Sequence, residues 1–317
     1  MDSVSTWAGR IIKAVETVVY GKREVIEKFL VAILCRGHVL VEDVPGVGKT
    51  ILARSIALAL GGEFNQIQCT PDLLPSDVLG VSIYNPKIND FTFKQGPVIT
   101  NILLVDEINR ATHRTQSALL EAMAEGQVSV EGKSIVLPNP FFLMATQSPT
   151  ESEGTFPLPE VQKDRFFLSL TIGFPDRDSE LKVMLDQRKE VRSIDELSAV
   201  TDMEVVVRMQ EAILAVHVEE GIKDYILNIV KETRQDDRLM LGVSPRGSLA
   251  LYKGAQALAA LRERDYVVPE DVKDIAPSVL DKRILLKSEF SAKGVTEANI
   301  ISSILDKIEV PGYKDAI

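Results

Sequence analysis

Hydrophobic positions in the first half of the chain change repeatedly between a helical and a strand-like period. Apolar residues at helical spacing predict two helices within residues 5–36, broken near Tyr20-Gly21, and further helices after residue 50 and over about 112–125. Continuous apolar runs, typical of strands buried on both faces, alternate with these helices. The predicted strands are 38–41, 65–69, 102–105, 141–145 and 165–171. This alternation predicts an α/β fold in which helices sandwich a parallel sheet.

Two segments interrupt the alternation with a strand, turn and strand pattern that predicts β-hairpins. They cover residues 81–94 and 128–137. Beyond Pro175 the periodicity is almost only helical, over about 178–190, 201–216, 222–235, 245–262, 269–280 and 296–307. The sequence therefore predicts two domains, an α/β core over 1–175 and an all-helical domain over 176–317.

The segment Glu42-Asp43-Val44-Pro45-Gly46-Val47-Gly48-Lys49-Thr50 joins a predicted strand to a predicted helix. A strand, a glycine-rich turn and a helix are what a phosphate-binding loop requires, because backbone N–H groups and the helix dipole surround the phosphate oxygens. We expect Lys49 to reach the β- and γ-phosphates of ATP and Thr50 to ligate Mg²⁺. The expected nucleotide-binding residues here are Pro45, Gly46, Val47, Gly48, Lys49, Thr50 and Ile51.

Asp43 departs from the phosphate-loop pattern, since it stands where the first glycine is expected. An acid beside a triphosphate is unfavourable unless its side chain turns away. An ordinary glycine-rich turn with an exposed lysine is the alternative interpretation of the segment.

Asp106 and Glu107 follow the apolar run 102–105. Two acids at the carboxyl end of a strand downstream of a phosphate loop match the Walker B arrangement. Asp106 is expected to hold Mg²⁺ through water and Glu107 to polarise the attacking water. A solvated acidic turn is the alternative.

Polar residues also follow the predicted strand 141–145. A strand next to the Walker B strand can place a polar side chain against the γ-phosphate and the attacking water. The candidates are Ser148, Thr146 and Gln147, and a polar turn before Pro149 is the alternative.

Composition limits the classes of partner. The 317 residues carry 36 basic and 46 acidic side chains, a net charge of −10, which argues against a general nucleic-acid binder. The two cysteines, Cys35 and Cys69, lack metal-ligand spacing and are expected to be buried thiols. The longest apolar run, 29–35, is too short to span a bilayer. With no signal peptide recognised, we expect a cytoplasmic protein without membrane insertion.

These motifs, in their order along the chain, resemble the MoxR family of AAA+ ATPases, in the helix-2-insert clade. The resemblance covers essentially the whole length. It is carried by the phosphate loop and by residues 105–110, 115–123, 125–128, 145–147, 154–160, 164–166 and 244–246. It implies an AAA+ P-loop core followed by an all-helical lid.

The resemblance also implies roles for individual residues. Ser148 matches the sensor-1 position, where the family normally has asparagine. Arg165 matches the arginine finger, which reaches the nucleotide of the neighbouring subunit; without the family, an ordinary surface arginine paired with Asp164 would be favoured. Val19-Tyr20-Gly21 resembles the segment that lies against adenine.

Arg246 matches sensor 2, carried by the lid. Ser244 is a good N-cap and Pro245 a good first helical residue, so Arg246 falls in the first turn of a helix. We expect its guanidinium to project toward a ligand held by the core. The expected catalytic set is then Glu107, Lys49, Arg165, Ser148 and Arg246.

The family implies a ring, expected to be a hexamer, that hydrolyses ATP·Mg²⁺ between subunits and remodels a protein partner. Such partners often carry von Willebrand factor A domains, and the activity includes complex maturation and cofactor insertion. Two alternatives stay open: a nucleotide-gated scaffold with little hydrolysis, if Asp43 and Ser148 impair turnover, and a nucleic-acid motor, which the net charge disfavours.

Overall fold

The computed structural model describes residues 3–148, 154–186 and 193–312. The helices are α1 (Val4–Val15), α2 (Arg23–Leu34), α3 (Lys49–Leu60), α4 (Pro75–Leu79), α5 (His113–Glu125), α6 (Glu160–Lys163), α7 (Arg177–Asp186), α8 (Ser193–Glu196), α9 (Met203–Ala212), α10 (Glu220–Gln235), α11 (Pro245–Leu261), α12 (Pro269–Leu280), α13 (Ser288–Ser291) and α14 (Glu297–Lys307). Short 3-10 turns cover Ile108–Arg110, Ile213–Ala215 and Asp281–Arg283.

The strands are β1 (Val39–Glu42), β2 (Phe64–Gln68), β3 (Gly80–Asn85), β4 (Asp90–Gln95), β5 (Ile102–Asp106), β6 (Gln127–Val130), β7 (Lys133–Val136), β8 (Phe142–Gln147), β9 (Leu168–Leu170), β10 (Leu239–Leu241) and β11 (Leu285–Leu286). The central sheet has the order β2-β5-β8-β1-β9, and its neighbouring strands are parallel. The predicted parallel sheet is confirmed. All five strands end at one edge of the sheet, the carboxyl edge, and begin at the opposite amino edge.

The sheet is covered on both faces because its side chains alternate between two hydrophobic clusters. Val39, Val41, Leu104 and Met144 belong to one cluster, which also holds α1, α2, α3 and much of the helical lid. The residues between them, such as Leu40 and Leu103, belong to the second cluster, which includes the apolar side of α5. Every residue of β8 is buried, as a continuous apolar run predicts.

Both predicted hairpins are present, as the antiparallel pairs β3–β4 and β6–β7. Gly61 and Gly126, each with a positive φ angle, end α3 and α5. The expectation of an almost purely helical second half is wrong in one place, because β10 and β11 form a small antiparallel pair. The strand expected over 165–171 is shorter, only β9, since the residues before it turn at the amino edge. Residues 187–190 of the helix predicted over 178–190 lie outside the described residues.

The lid packs against the core through α11, which contacts α1 and α2 as well as α10 and α12. Gly254 allows the close approach of α11 and α12, since a Cβ there would lie 3.0 Å from Ile275 Cγ1. None of the helices in the described ranges combines the length and apolar character that crossing a bilayer needs.

Candidate nucleotide site

The phosphate-binding loop leads from β1 into the amino end of α3 at the carboxyl edge of the sheet. Gly46 and Gly48 have φ angles of 88° and 92°, which favour glycine. No atom lies within 4 Å of the position that a Cβ would take at either glycine, so the loop is open on that side. Lys49 Nζ donates to the Asp43 carbonyl oxygen at 2.7 Å. The loop and the helix end therefore fit a polyphosphate.

The Asp43 carboxylate turns away from the open side of the loop. Its Oδ2 accepts from the backbone N–H groups of Ile172 and Gly173, both at 2.7 Å, and its Oδ1 accepts from Val44 N–H. The side chain is buried, with 6% exposure for the residue. Asp43 thus connects the loop to the segment that follows β9 through hydrogen bonds. These bonds explain why an aspartate stands where the pattern has glycine.

The two acids predicted to form the Walker B motif are consecutive residues at the carboxyl end of β5. Asp106 is the last residue of β5, and Thr146 of β8 donates its hydroxyl proton to Asp106 Oδ1. The same hydroxyl accepts from Glu107 N–H at 2.9 Å. Glu107 has a φ angle of 54°, uncommon for a residue with a side chain. Thr146 therefore holds both acids and is fully buried.

The Glu107 carboxylate is engaged by two donors that meet at one oxygen. Gln68 Nε2 lies 3.1 Å from Glu107 Oε2, and Arg110 Nη1 lies 3.0 Å from the same atom. Gln68 is not among the site residues expected from the sequence, although a polar residue at the carboxyl end of a predicted strand is a usable signal. Its register, opposite Asp106 in β2–β5, is visible only in the folded sheet.

Cys69, directly after β2, is buried close to these acids. Burial, with Asp106 and Glu107, raises the pKa of the Cys69 thiol to about 12, so the group stays uncharged. Cys35 is buried as well, and burial raises the pKa of its thiol. Neither cysteine is in a disulfide, as expected from the sequence.

Ser148 directly follows β8 at the carboxyl edge, next to β5 and its acids. The predicted alternative, in which Thr146 orients water, does not fit the structure because the Thr146 hydroxyl already serves Asp106 and Glu107. Gln147 is buried within β8. Of the three candidates, Ser148 remains the one placed beyond the strand.

The predicted adenine segment Val19-Tyr20-Gly21 packs against the start of the lid. Gly21 has a φ angle of 69°, and a Cβ there would lie 2.4 Å from Ser179 Oγ. Lys22 Nζ donates to the carbonyl oxygens of Ile172 and Phe174, both at 2.8 Å. A pocket of about 840 Å³, lined by Gly21, Lys22, Thr171, Ile172, Ser278 and Ile301 among others, lies beside the segment.

Arg165 and Arg246 lie together at the amino edge. Both line a pocket of about 320 Å³ with Arg36, Lys253, Arg283 and Asp164, so that five of its lining residues are Arg or Lys and one is an acid. Arg165 and Arg246 are themselves exposed. Arg165 Nη1 donates to the Leu120 carbonyl oxygen at 3.3 Å. This basic pocket suits an anion.

The position of Arg246 corrects the sequence-based expectation. We expected it to reach a nucleotide held by the core of its own chain, but it lies at the edge where β1 and β9 begin, whereas Lys49 follows the end of β1. The physical reason is the docking of the lid: Ser244, at the start of α11, donates to Asp164 just before β9. Arg246 is therefore grouped with Arg165.

The described residues contain no group of three or more His, Cys, Asp or Glu side chains able to hold a metal ion alone. Mg²⁺ is normally held by one or two protein oxygens together with substrate phosphates. Thr50, at the start of α3, and Asp106 supply that kind of donor set at the carboxyl edge.

Comparison with known proteins agrees with this geometry. Residues 38–168 match the family described as ATPase family associated with various cellular activities (AAA), and residues 231–304 match the AAA lid domain. The chain is 47% identical to YeaC, an uncharacterized protein of Bacillus subtilis, over 98% of this chain and 96% of that protein. It is 38% identical to Chaperone MoxR1 of Mycobacterium tuberculosis, over 95% of this chain and 82% of that protein.

A crystal structure of a candidate ATPase from Cytophaga hutchinsonii has a TM-score of 0.92 and 37% identity, covering 98% of this chain and 96% of the other. The chain belongs to the MoxR family of AAA+ ATPases. It is a nucleotide-binding ATPase with an AAA+ core and a helical lid, which confirms the fold and the enzyme class expected from the sequence.

Proposed function

We propose that this ATPase hydrolyses ATP·Mg²⁺ between adjacent copies of a ring, with a hexamer as the expected form, and so remodels a protein partner. The observation that carries the proposal is the placement of Lys49 and Arg165 at opposite edges of one sheet. Strands rise about 3.3 Å per residue, so the two groups are separated by the length of β1 and its flanking turns. A site needing both side chains is complete only between two chains.

Within such a site, the chain that supplies the phosphate loop contributes most of the groups. Lys49, now against the Asp43 carbonyl, would turn to the phosphates, and Thr50 with Asp106 would hold the Mg²⁺ that neutralises developing charge. Glu107 accepts the proton of the attacking water, and Ser148 orients that water. Val19, Tyr20 and Gly21 border the base.

The neighbouring chain would contribute Arg165 and Arg246. Their positive charge next to the γ-phosphate stabilises the transition state in a way water does not, because the guanidinium groups are preorganised. An arginine finger supplied in trans is worth roughly 10³–10⁵ in rate. The basic pocket at the amino edge supports this role for both residues.

The proposed domains are the core, residues 1–175, and the lid, residues 176–317, which meet near Pro175. Motion of the lid relative to the core would transmit the nucleotide state to a client. The name Chaperone MoxR1 of the relative supports a protein client. We extend the proposal to clients with a von Willebrand factor A domain and to complex maturation or cofactor insertion, in line with the family. Two buried thiols outside any disulfide suit a reducing cytoplasm as the location.

A mixing experiment tests whether the active site is shared. Lys49→Ala and Arg165→Ala are each expected to abolish assembly-dependent hydrolysis. In a 1:1 mixture, a chain with Arg165→Ala still supplies an intact phosphate loop, and its Lys49→Ala neighbour still supplies Arg165. An interface is active only when the Arg165→Ala chain supplies the phosphate loop and the Lys49→Ala chain supplies the arginine. Random assembly gives this arrangement at about a quarter of the interfaces, so about a quarter of the wild-type rate is restored.

The same mixture made with Arg246→Ala instead of Arg165→Ala reports on Arg246. Glu107→Gln in both chains is the control for contaminating ATPase, and it should keep nucleotide binding. No recovery in either mixture, with both variants folded and assembled, would contradict sharing in trans. A rate near zero in the wild type with intact ATP binding would favour the scaffold.

A further inference from the structure

Asp164 joins the core to the lid at the point where Arg165 and Arg246 emerge. Ser244 Oγ lies 3.0 and 2.9 Å from the two carboxylate oxygens of Asp164 and donates to them. Arg283 Nε donates to Asp164 Oδ1 at 3.0 Å. Asp164 directly precedes Arg165, and Ser244 is two residues before Arg246. One carboxylate therefore contacts the lid immediately beside both exposed arginines.

Arg283 makes this contact rigid. Its side chain is 5% exposed, and its guanidinium donates to the carbonyl oxygens of Phe166, Phe167 and Val279 as well as to Asp164. Burial lowers the pKa of the Arg283 guanidinium, and Asp164 opposes that shift. A buried guanidinium with several partners cannot move without leaving donors unpaired, which is costly. The backbone after Arg165 is thereby fixed to the lid.

Ser244 fixes the orientation of α11 at the same place. Its hydroxyl also accepts from Arg246 N–H at 3.2 Å, as the N-cap of the helix. Gly247 allows this close packing, because a Cβ there would lie 2.2 Å from Val243 Cγ1 and 3.2 Å from Arg283 Cδ. The first turn of α11, which carries Arg246, is thus bound to the residue before Arg165.

We propose that Asp164, Ser244 and Arg283 form a positioning cluster that sets the separation and direction of Arg165 and Arg246, so that the two guanidinium groups meet the neighbouring nucleotide as a preset pair. The proposal rests on the function proposed above and assigns to these three residues a role that acts through Arg165 and Arg246. Long exposed arginine side chains lose conformational entropy on binding an anion. Fixing their backbone origins in advance avoids the further cost of ordering the two segments against each other and favours the reactive arrangement.

Substitutions of Ser244 test the cluster without removing either arginine. Ser244→Ala removes both the cap and the link to Asp164, whereas Ser244→Asp keeps a capping oxygen but places a second carboxylate against Asp164. Ser244→Thr keeps both contacts and is the conservative variant. We expect kcat to fall about tenfold in Ser244→Ala and at least as much in Ser244→Asp, with near wild-type activity in Ser244→Thr. ATP affinity at the phosphate loop should stay unchanged.

Thr296→Ala is the matched control. Thr296 caps α14 in the same lid by accepting from Asn299 N–H. Its contacts do not include Asp164. Its loss costs a comparable amount of helix stability. Thermal unfolding of both variants separates a general weakening of the lid from a local effect. A kcat for Ser244→Ala no lower than that of Thr296→Ala would overturn the proposal.

A double-mutant comparison supplies the decisive result. If Ser244 acts through Arg246, Ser244→Ala lowers kcat by a smaller factor in an Arg246→Ala background, which keeps Arg165, than it does in the wild type. An equal effect in that background would overturn the positioning role while leaving the shared site intact. If Arg165→Ala and Arg246→Ala each keep full assembly-dependent hydrolysis, the proposal of a shared site is wrong, and so is the positioning role that rests on it.

Discussion

Gln68 Nε2 lies 3.1 Å from Glu107 Oε2, and this contact crosses from the end of β2 to the residue after β5. Arg110 Nη1 lies 3.0 Å from the same oxygen. Two donors on one carboxylate oxygen fix the direction of the side chain. In the proposed reaction Glu107 accepts a proton from water, and at Oε2 this requires giving up at least one of the two donors. We therefore expect Gln68 and Arg110 to limit how often the proposed base is available.

Gln68→Leu is expected to raise the ATPase rate measured without a client by about two- to tenfold, equivalent to roughly 0.4–1.4 kcal/mol of barrier. The leucine keeps the volume of the side chain but no longer donates to Glu107. The KM for ATP should change little, since Gln68 lies outside the phosphate loop. Steady-state phosphate release at saturating ATP measures the effect.

Gln66→Leu is the control for Gln68→Leu, because Gln66 is exposed on the same strand but pairs with Leu104 in the register, two residues before the pair of Gln68 and Asp106. It should leave the rate unchanged. A lower rate in Gln68→Leu, with an unaltered control, would mean that Gln68 supports the productive position of Glu107 instead of restraining it.

Asp43→Gly restores the glycine that the phosphate-loop pattern expects, yet we expect it to weaken the protein. Three backbone N–H groups, of Val44, Ile172 and Gly173, lose their charged acceptor. Buried donors left unpaired cost about 1–3 kcal/mol in unfolding free energy. The loop also loses its attachment to the segment after β9, so the KM for ATP should rise several-fold.

Val44→Gly controls for the added backbone freedom that any glycine brings to the unfolded chain. Denaturant unfolding and ATP titration of both variants separate that contribution from the loss of the carboxylate. Unchanged stability together with faster turnover in Asp43→Gly would show that the acid is a handicap, as the sequence alone suggested.

The buried strands could be predicted from the sequence, whereas the contacts of Asp43 could not. Apolar runs such as 102–105 and 141–145 predicted buried strands because burial on both faces leaves no polar position. The acids at the end of β5 followed from the same run. These features depend on neighbours along the chain.

Features that depend on neighbours in space escaped prediction. The sequence does not reveal that the Asp43 side chain turns away from the loop, because its partners, Ile172 and Gly173, are over 120 residues away in the chain. The Gln68 contact requires the register between two strands. Arg246 was assigned to its own nucleotide because helix position alone does not reveal which edge of the sheet the lid covers.

Thr146 and Ser148 are expected to respond differently to substitution. Thr146→Val keeps the shape of the side chain but removes the hydroxyl that holds Asp106 and Glu107, leaving Glu107 N–H without its acceptor. We expect kcat to fall at least tenfold and stability to fall by about 1–3 kcal/mol. Ser148→Asn, which restores the usual sensor-1 residue, should raise kcat with stability unchanged. Single-turnover hydrolysis and thermal unfolding measure both.

Thr146→Val and Ser148→Asn serve as controls for each other, because both alter the carboxyl end of β8. An unaffected rate in Thr146→Val would mean that the Walker B acids hold their positions without the hydroxyl. No gain in Ser148→Asn would mean that another group already orients the water.

His38 predicts a pH dependence of stability. Its Nδ1 accepts from Leu143 N–H at 3.0 Å, and its Nε2 lies 2.9 Å from the Met123 carbonyl oxygen, so the neutral ring with a proton on Nε2 satisfies both. Burial lowers the pKa of His38 from 6.5 to about 4, although the Met123 carbonyl opposes the shift. The folded state thus favours the neutral ring more than the unfolded state does.

Because the folded pKa is depressed, the stabilisation is present above pH 6.5 and is lost as the pH falls toward 4. Between pH 7.5 and pH 5 this linkage removes about 2 kcal/mol of unfolding free energy. Denaturant unfolding of wild type and His38→Gln at both pH values isolates the effect, since glutamine does not titrate. Wild type should lose about 2 kcal/mol more than the variant, whereas His217→Gln, at an exposed position, should behave like wild type. Equal losses in wild type and His38→Gln would mean that the buried ring is not the group that titrates.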